Sequence, residues 1–281
     1  LRLLITGGDS FTGRHLIPKA LSQGHEIYIL KSNLKDFDSL KKEIETIRPE
    51  GVIHLAGISF VGQSNPSEFY EVNTIGTLYL LEALLISSTP PQKVLLASSA
   101  NVYGNAIHSP IQESASAQPI NHYGISKLAM EGLVNIYQER LPIDIIRCFN
   151  YTGQGQSVDF LIPKLVYHFK NKIHSVDLGS LNIKREFNDV RMVADIYLSL
   201  LLKSESGEIY NLCSGKAYSI EGIVKILESL TQHSIVINKN PNFVRQNELS
   251  ILCGDPQKLI NAIGTLPKYS IEETLQWMLE A

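Results

Sequence analysis

The sequence has no long hydrophobic run. Its nearest candidate, TLYLLEALLIS at 77–87, is interrupted by Glu82 and falls short of the roughly 18 residues that a membrane helix needs. No membrane partner is therefore expected. Cysteine is scarce: Cys148, Cys213 and Cys253 are odd in number, far apart and in apolar surroundings. That argues against a disulfide framework and for reduced core thiols in a cytoplasmic protein. No pair of cysteines or histidines has metal-ligand spacing, so no metal site is expected. Neither sign of charge dominates: 25 basic against 28 acidic residues leave a net charge of −3. Nucleic acid and anionic surfaces are thereby disfavoured as partners. There is no internal repeat and no low-complexity segment. No leader pattern is read at the start, because the first residues already look like a strand.

What is present is an alternation of strand and helix patterns through the first half of the 281 residues. RLLIT, HEIYIL, GVIHLAG, KVLLASS and IDIIRCF read as buried strands. FTGRHLIPKALSQG, FDSLKKEIETI, NPSEFYEVNTIGTLYLLEALLIS and NHYGISKLAMEGLVNIYQER read as the helices between them. Continuous apolar strands separated by helices predict an α/β fold with a doubly wound parallel sheet of Rossmann type, covered on both faces. From about residue 151 the pattern loosens into short strands and helices such as SIEGIVKILESL and SIEETLQWMLE, predicting a smaller C-terminal α/β lobe. The predicted division is 1–150 plus 187–212 for the dinucleotide domain and 151–186 plus 213–281 for the substrate lobe. The long helix around 66–87 carries more apolar residues than one stripe requires. The extra face is either buried within one chain or covered by a second subunit, as in a homodimer.

LLITGGDSFTGRHL places Gly7, Ser10 and Gly13 at i, i+3 and i+6 between the first strand and the first helix. Such a turn brings backbone close to a pyrophosphate seated on a helix N-terminus. Phe11, Thr12 and Arg14 belong to the same candidate cofactor site. The middle glycine of the motif is replaced by Ser10, so the motif is imperfect. The second strand ends in YILKSN. An acidic residue there would suit the ribose hydroxyl of NAD, whereas Lys31, with Arg14, suits the extra phosphate of NADP. NADP(H) is the expected cofactor, with NAD(H) the alternative.

Tyr123 and Lys127 stand one turn apart in YGISK on a predicted helix and so share a face. Their spacing is common by chance. Their position is not: they follow the fourth parallel strand, which ends at Ser99, and ligands bind at such strand ends. A phenol with an ordinary pKa of about 10 needs help to exchange protons near pH 7. An ammonium at about 4 Å would supply about 4 kcal/mol toward that at an effective dielectric near 20. Ser99 would orient a carbonyl oxygen.

Several motifs together carry a family resemblance: TGGDSFTG, HLAG, VNTIGT, SSANVYG, YGISK, RCFNYTGQGQ, REFNDVR and YNLCSG. The chain resembles the extended short-chain dehydrogenases/reductases that act on nucleotide sugars. Its C-terminal half, in FNYTGQGQSVDFLIPKLV, LGSLNIKREFNDVR and VRQNELSILCGDPQKL, looks most like the GDP-4-keto-6-deoxy-D-mannose reductases. The resemblance implies that Asn73 supports the active-site lysine and nicotinamide. It also implies that His54, Leu55, Ala56 and Gly57 line the cofactor, and that Asp36 and Phe37 lie near adenine. Asn150 and Arg185 would meet the sugar and diphosphate of a GDP-sugar, Arg245 the diphosphate and Glu248 the ribose hydroxyls, in keeping with guanidinium and carboxylate chemistry. Cys148 and Gln154 depart from the family pattern, standing where many relatives have proline.

Three reactions share this scaffold. A 4,6-dehydratase needs an acid/base pair just after the active-site serine. Here those places are Ala100 and Asn101, which exchange no protons near neutral pH. A 4-epimerase needs only the Ser–Tyr–Lys set and a tightly held NAD, which Lys31 disfavours. A reductase needs the same set with exchangeable NADPH. The expected activity is therefore reduction of the C4 ketone of a GDP-4-keto-6-deoxyhexose, giving GDP-D-rhamnose or GDP-6-deoxy-D-talose. Asn101 is the candidate substrate contact that bears on the choice of epimer. The alternatives are an NAD-dependent 4-epimerase and a catalytically silent nucleotide-binding relative.

Overall fold

The computed structural model describes residues 1–59, 65–106, 108–240 and 250–281. The first half alternates β1 (Arg2–Thr6), α1 (Phe11–Ser22), β2 (Glu26–Ile29), α2 (Phe37–Ile47) and β3 (Gly51–His54). One long helical segment follows, built from α3 (Ser67–Phe69), a π-helical turn (Tyr70–Ile75) and α4 (Gly76–Leu85). Then come β4 (Lys93–Ser99), a 3₁₀ turn (Ala100–Tyr103), α5 (His122–Tyr137) and β5 (Ile143–Cys148). The second half holds β6 (Tyr151–Thr152), α6 (Leu161–Lys170), β7 (Ser175–Leu178), β8 (Lys184–Glu186), β9 (Asn188–Asp189), α7 (Val190–Lys203) and β10 (Ile209–Leu212). It ends with β11 (Ala217–Ser219), α8 (Ile220–Thr231), β12 (Val236–Lys239), β13 (Ile251–Leu252), α9 (Gln257–Ile263) and α10 (Ile271–Leu279).

Six parallel strands form the central sheet in the order β10-β5-β4-β3-β1-β2. Chain order runs outward from β1 to β2 and then back across β1 to β3. The carboxyl ends of β1 and β3 therefore flank a topological switch point, where such sheets open a crevice for ligands. Two cores sandwich the sheet. One packs α1, α7 and α9 through Leu16, Ala20, Val193, Ile196, Leu200 and Leu259. The other packs α2, α4 and α5 through Leu40, Ile44, Leu80, Leu84, Met130 and Val134. Burial on both faces is why these strands read as unbroken apolar runs rather than as alternating ones.

A separate core gathers α6, α8 and α10 around Leu165, Phe169, Ile223, Leu227 and Leu275. Beside it lie small sheets, β11-β8-β13 and β12-β7. Helix α9 lies within the segment 213–281 that the sequence pattern groups with this lobe. Its Leu259 and Ile263 nevertheless pack in the first core beside α7. The lobe thus lends one helix to the nucleotide side, which a pattern of local periodicity does not reveal. Among the described residues, no helix is long and apolar enough to cross a membrane.

Candidate active site

The glycine turn lies where β1 meets α1. Gly7 takes a left-handed φ of +68°. A Cβ on Gly13 would stand 2.2 Å from the Gly8 carbonyl oxygen, so only glycine lets α1 close onto the turn. Ser10 occupies the middle place of the motif as the N-cap of α1, its hydroxyl accepting from Gly13 N at 3.1 Å. Phe11 and Thr12 head the helix behind it, at its partially positive end. A narrow turn closed by glycine beneath a helix N-terminus suits a dinucleotide pyrophosphate, so the residues present fit the expected cofactor.

The other cofactor candidates are placed unevenly. Lys31 is exposed, and its backbone N–H, with that of Ser32, donates to the Glu43 carboxylate at 2.9 and 2.7 Å. Burial alone would raise the Glu43 pKa, but the hydrogen bonds from Ser32 and Lys31 win and hold it down. Arg14 donates to the Gly155 carbonyl oxygen at 2.9 Å, tying α1 to the loop after β6. Asp36 is the N-cap of α2, its carboxylate taken up by Ser39. Phe37 packs edge-on to Tyr79 in the second core.

His54 is buried at the end of β3 between Thr6 and Thr77, at 2.6 and 2.9 Å from their hydroxyls. Burial, helped by the charge of Lys127, pushes its pKa down to about 3. His54 is therefore a neutral core residue that pins β3 to β1 and α4. Leu55 and Ala56 are half-buried, with the Ala56 N–H donating to the Thr6 hydroxyl at 3.1 Å. A Cβ on Gly57 would meet Asn73 Oδ1 at 2.9 Å and Lys127 Nζ at 3.2 Å, which brings these three residues together. Asn73 sits in the π-helical turn, wholly buried. Its carboxamide accepts from Ile58 N at 2.9 Å and donates to Ile58 O and to Ser126 Oγ at 3.1 and 3.0 Å. Extra backbone in a helix often marks a functional position; here it turns Asn73 between the β3 loop and α5.

Ser99, Tyr123 and Lys127 are 6%, 9% and 5% exposed. Ser99 ends β4, and α5 starts with its cap Asn121, whose Oδ1 accepts from Gly124 N at 2.8 Å. Burial raises the Tyr123 pKa to about 12, against the opposing influence of nearby Ser99. Lys127 is pushed down to about 8 by burial, and its Nζ donates to the Ala97 carbonyl oxygen at 2.7 Å. The sequence-based expectation that Lys127 pulls the phenol down is not met in the protein by itself. The ammonium is turned to the β4 backbone and is itself poorly solvated, so burial of the phenol prevails.

The remaining candidates divide between the lobes. Asn150 lies just beyond β5, its carbonyl accepting from Asn188 N at 3.0 Å and Nδ2 at 3.2 Å. Arg185 stands on β8 in the second lobe's small sheet. Arg245 and Glu248 lie outside the described residues. Sequence reasoning missed Cys148 as a neighbour of the site, although it pairs in register with Ser99. Its thiol lies 3.3 Å from the Tyr197 hydroxyl, and its pKa is raised to about 11, chiefly by burial. It also missed Tyr151, whose hydroxyl meets Thr12 Oγ1 at 2.8 Å and whose ring stacks on Phe11. The signals were the place of Cys148 at the end of the predicted strand IDIIRCF, where it departs from the family pattern, and that of Tyr151 just after it. Among the described residues, no group of three or more His, Cys, Asp or Glu is placed to hold a metal ion.

Comparison with known proteins places the chain in a family. A GDP-6-deoxy-D-talose 4-dehydrogenase of Aggregatibacter actinomycetemcomitans is 35% identical over 94% of this chain and 92% of its own length. A GDP-6-deoxy-D-mannose reductase of Pseudomonas aeruginosa is 31% identical over 99% of this chain and 96% of its own. The solved structure of RMD from Pseudomonas aeruginosa complexed with NADPH superposes with a TM-score of 0.91 at 30% identity, covering 99% of this chain and 97% of that one. The family model for GDP-mannose 4,6 dehydratase matches residues 22–278. On that span, the chain belongs to the GDP-mannose 4,6 dehydratase family of extended short-chain dehydrogenases/reductases.

Proposed function

We propose that the protein uses NADPH to reduce the C4 ketone of a GDP-4-keto-6-deoxyhexose, giving GDP-D-rhamnose or GDP-6-deoxy-D-talose. The observation that carries this reading is the Ser99–Tyr123 pair followed by two uncharged residues. Ala100 is 2% exposed, and the Asn101 carboxamide donates to Ser99 Oγ at 3.0 Å. No proton-exchanging group stands where dehydration would need one, despite the dehydratase in the family's name. Ketone reduction needs none beyond Tyr123.

A reduced nicotinamide, when bound, supplies the hydride. Gly7, Ser10, Phe11, Thr12 and Gly13 would hold its pyrophosphate, Lys31 and Arg14 the additional phosphate, and Gly57, Asn73 and Lys127 the nicotinamide end. Ser99 donates a hydrogen bond to the C4 oxygen. Tyr123, with a pKa of about 12, is protonated at neutral pH and gives its proton to the developing alkoxide, a far stronger base. Lys127, with a pKa of about 8, is mostly charged at pH 7 and stabilises the resulting phenolate. One of its three N–H donors goes to Ala97, which leaves two for the ribose.

Exposed apolar side chains on the helical segment and α5, Ile75 at 40%, Ile125 at 41% and Ile136 at 63%, support a homodimer joined through these helices. Three unpaired cysteines fit a reducing, cytoplasmic setting. Mixing protein, NADPH and GDP-4-keto-6-deoxy-D-mannose tests the activity by loss of NADPH absorbance. No oxidation would sink the reading, and interconversion of UDP-glucose and UDP-galactose without added cofactor would replace it with epimerisation. Tyr123→Phe should lose turnover while binding NADPH with unchanged affinity in a fluorescence titration.

A further inference from the structure

The hydrogen bonds around Ser99 have a direction, and it is imposed from a backbone group. The Gly124 N–H can only donate, and Asn121 Oδ1 accepts it at 2.8 Å. That fixes the Asn121 carboxamide with its Nδ2 toward Asn101, whose Oδ1 lies 3.5 Å away. Asn101 is fixed in turn, and its Nδ2 donates to Ser99 Oγ at 3.0 Å. The Asn101 backbone N–H donates to the same oxygen at 3.2 Å. A serine hydroxyl has two acceptor sites and one proton. Both acceptor sites of Ser99 are filled by Asn101. The turn and the helix are held in contact at Gly124, where a Cβ would stand 2.7 Å from the Asn101 carbonyl oxygen.

We infer that Asn101 and Asn121 are positioning residues that make Ser99 an obligate hydrogen-bond donor to the C4 oxygen of the substrate. With its acceptor sites filled, Ser99 cannot take the Tyr123 proton. Its one proton is left to point at the phenol oxygen or at the sugar, and the phenol proton stays available for the sugar. When a ketone occupies the site, both hydroxyl protons point at one oxygen, where charge develops during hydride addition. The first turn of α5 thereby sets the polarity of the strand-end serine.

The inference rests on the reduction reading, and two variants separate the two. Asn101→Asp replaces the donor by an acceptor of the same shape, so the Ser99 proton turns toward the carboxylate. The expected loss in kcat at pH 7.5 is about 100-fold, the typical effect of removing one oxyanion donor, with NADPH affinity unchanged. Turnover should recover only as pH falls below about 4, the ordinary range of an aspartate carboxyl, because a protonated acid can donate again. Asn121→Asp keeps the helix cap, since a carboxylate caps as well as a carboxamide, but removes the donor to Asn101. Its Tm should not fall, while kcat drops about tenfold on the same reasoning. A capping role alone would leave kcat untouched.

Wild-type turnover with the GDP-keto sugar tests the reduction reading; the ratio of variant to wild type tests this one. A substrate-free readout covers the remaining case. The ¹³C resonance of the Tyr123 carbon bearing the hydroxyl, assigned by its loss in Tyr123→Phe, should shift in Asn101→Asp as Ser99 turns away. An unmoved resonance, or unchanged kcat in both variants of an active enzyme, would overturn the inference.

Discussion

Replacing Lys127 by methionine should stabilise the fold at neutral pH while abolishing turnover. Burial moves the Lys127 pKa from 10.5 to about 8. At 1.36 kcal/mol per pKa unit, the charged form lies about 3.4 kcal/mol above its solvated level. The sign follows from the base being disfavoured as a cation. The penalty is complete below pH 8, where Lys127 is charged in both states, and it vanishes above 10.5, where it is neutral in both. Methionine removes the ammonium but leaves the Ala97 carbonyl without the 2.7 Å donor it has now, which costs about 1–3 kcal/mol at any pH. The expected net gain at pH 6.5 is therefore about 0.5–2.5 kcal/mol. The pH dependence is the sharper quantity. Between pH 6.5 and 9.5 the wild-type protein should gain about 2 kcal/mol relative to the variant. Urea unfolding of both proteins at both pH values reads this difference, with every other titrating group common to the pair. An identical stability gap at pH 6.5 and 9.5 would refute a buried, depressed Lys127.

Reduction rates followed from pH 6 to 10 should stay level and then fall above pH about 8 as Lys127 loses its charge, because Tyr123 keeps its proton to about 12. Gly13→Ala should weaken NADPH binding at least tenfold in a fluorescence titration, since the new methyl would sit 2.2 Å from the Gly8 carbonyl oxygen and force the pyrophosphate turn open. Glu131→Ala should destabilise the protein by about 3–5 kcal/mol in urea unfolding, leaving a buried guanidinium without its partner. Arg147 is 5% exposed and forks onto Glu131 at 2.7 to 3.2 Å, which also accepts from Ser98 at 2.6 Å.

Much of the nucleotide half was legible along the chain. RLLIT, FDSLKKEIETI and KVLLASS are one strand, one helix and one strand with the bounds that periodicity suggests. Their signals lie within a single element, where side-chain period and capping chemistry act over a few residues. The switch in role of α9 was not legible, because packing partners rather than period decide which core a short helix joins. In the candidate site the hydroxyls and the amine were visible as residue types at a strand end and on one helix face. Asn121 was visible only as a helix start, and Asp36, read by resemblance as an adenine neighbour, caps α2.

Local order therefore settles that Ser99 ends a buried strand and that Tyr123 and Lys127 share a helix face, because neighbours in sequence impose both. It leaves open what those groups do to protons. The Lys127 pKa depends on burial and on Ala97, 30 residues away, and the Tyr123 pKa on the low-dielectric wall around it. The direction of the Ser99 hydroxyl depends on an amide pair separated by 20 residues. Such contacts exist only once β4 and α5 have packed, so the chemistry of the site was decided by tertiary structure, through desolvation and the fixed polarity of a backbone N–H.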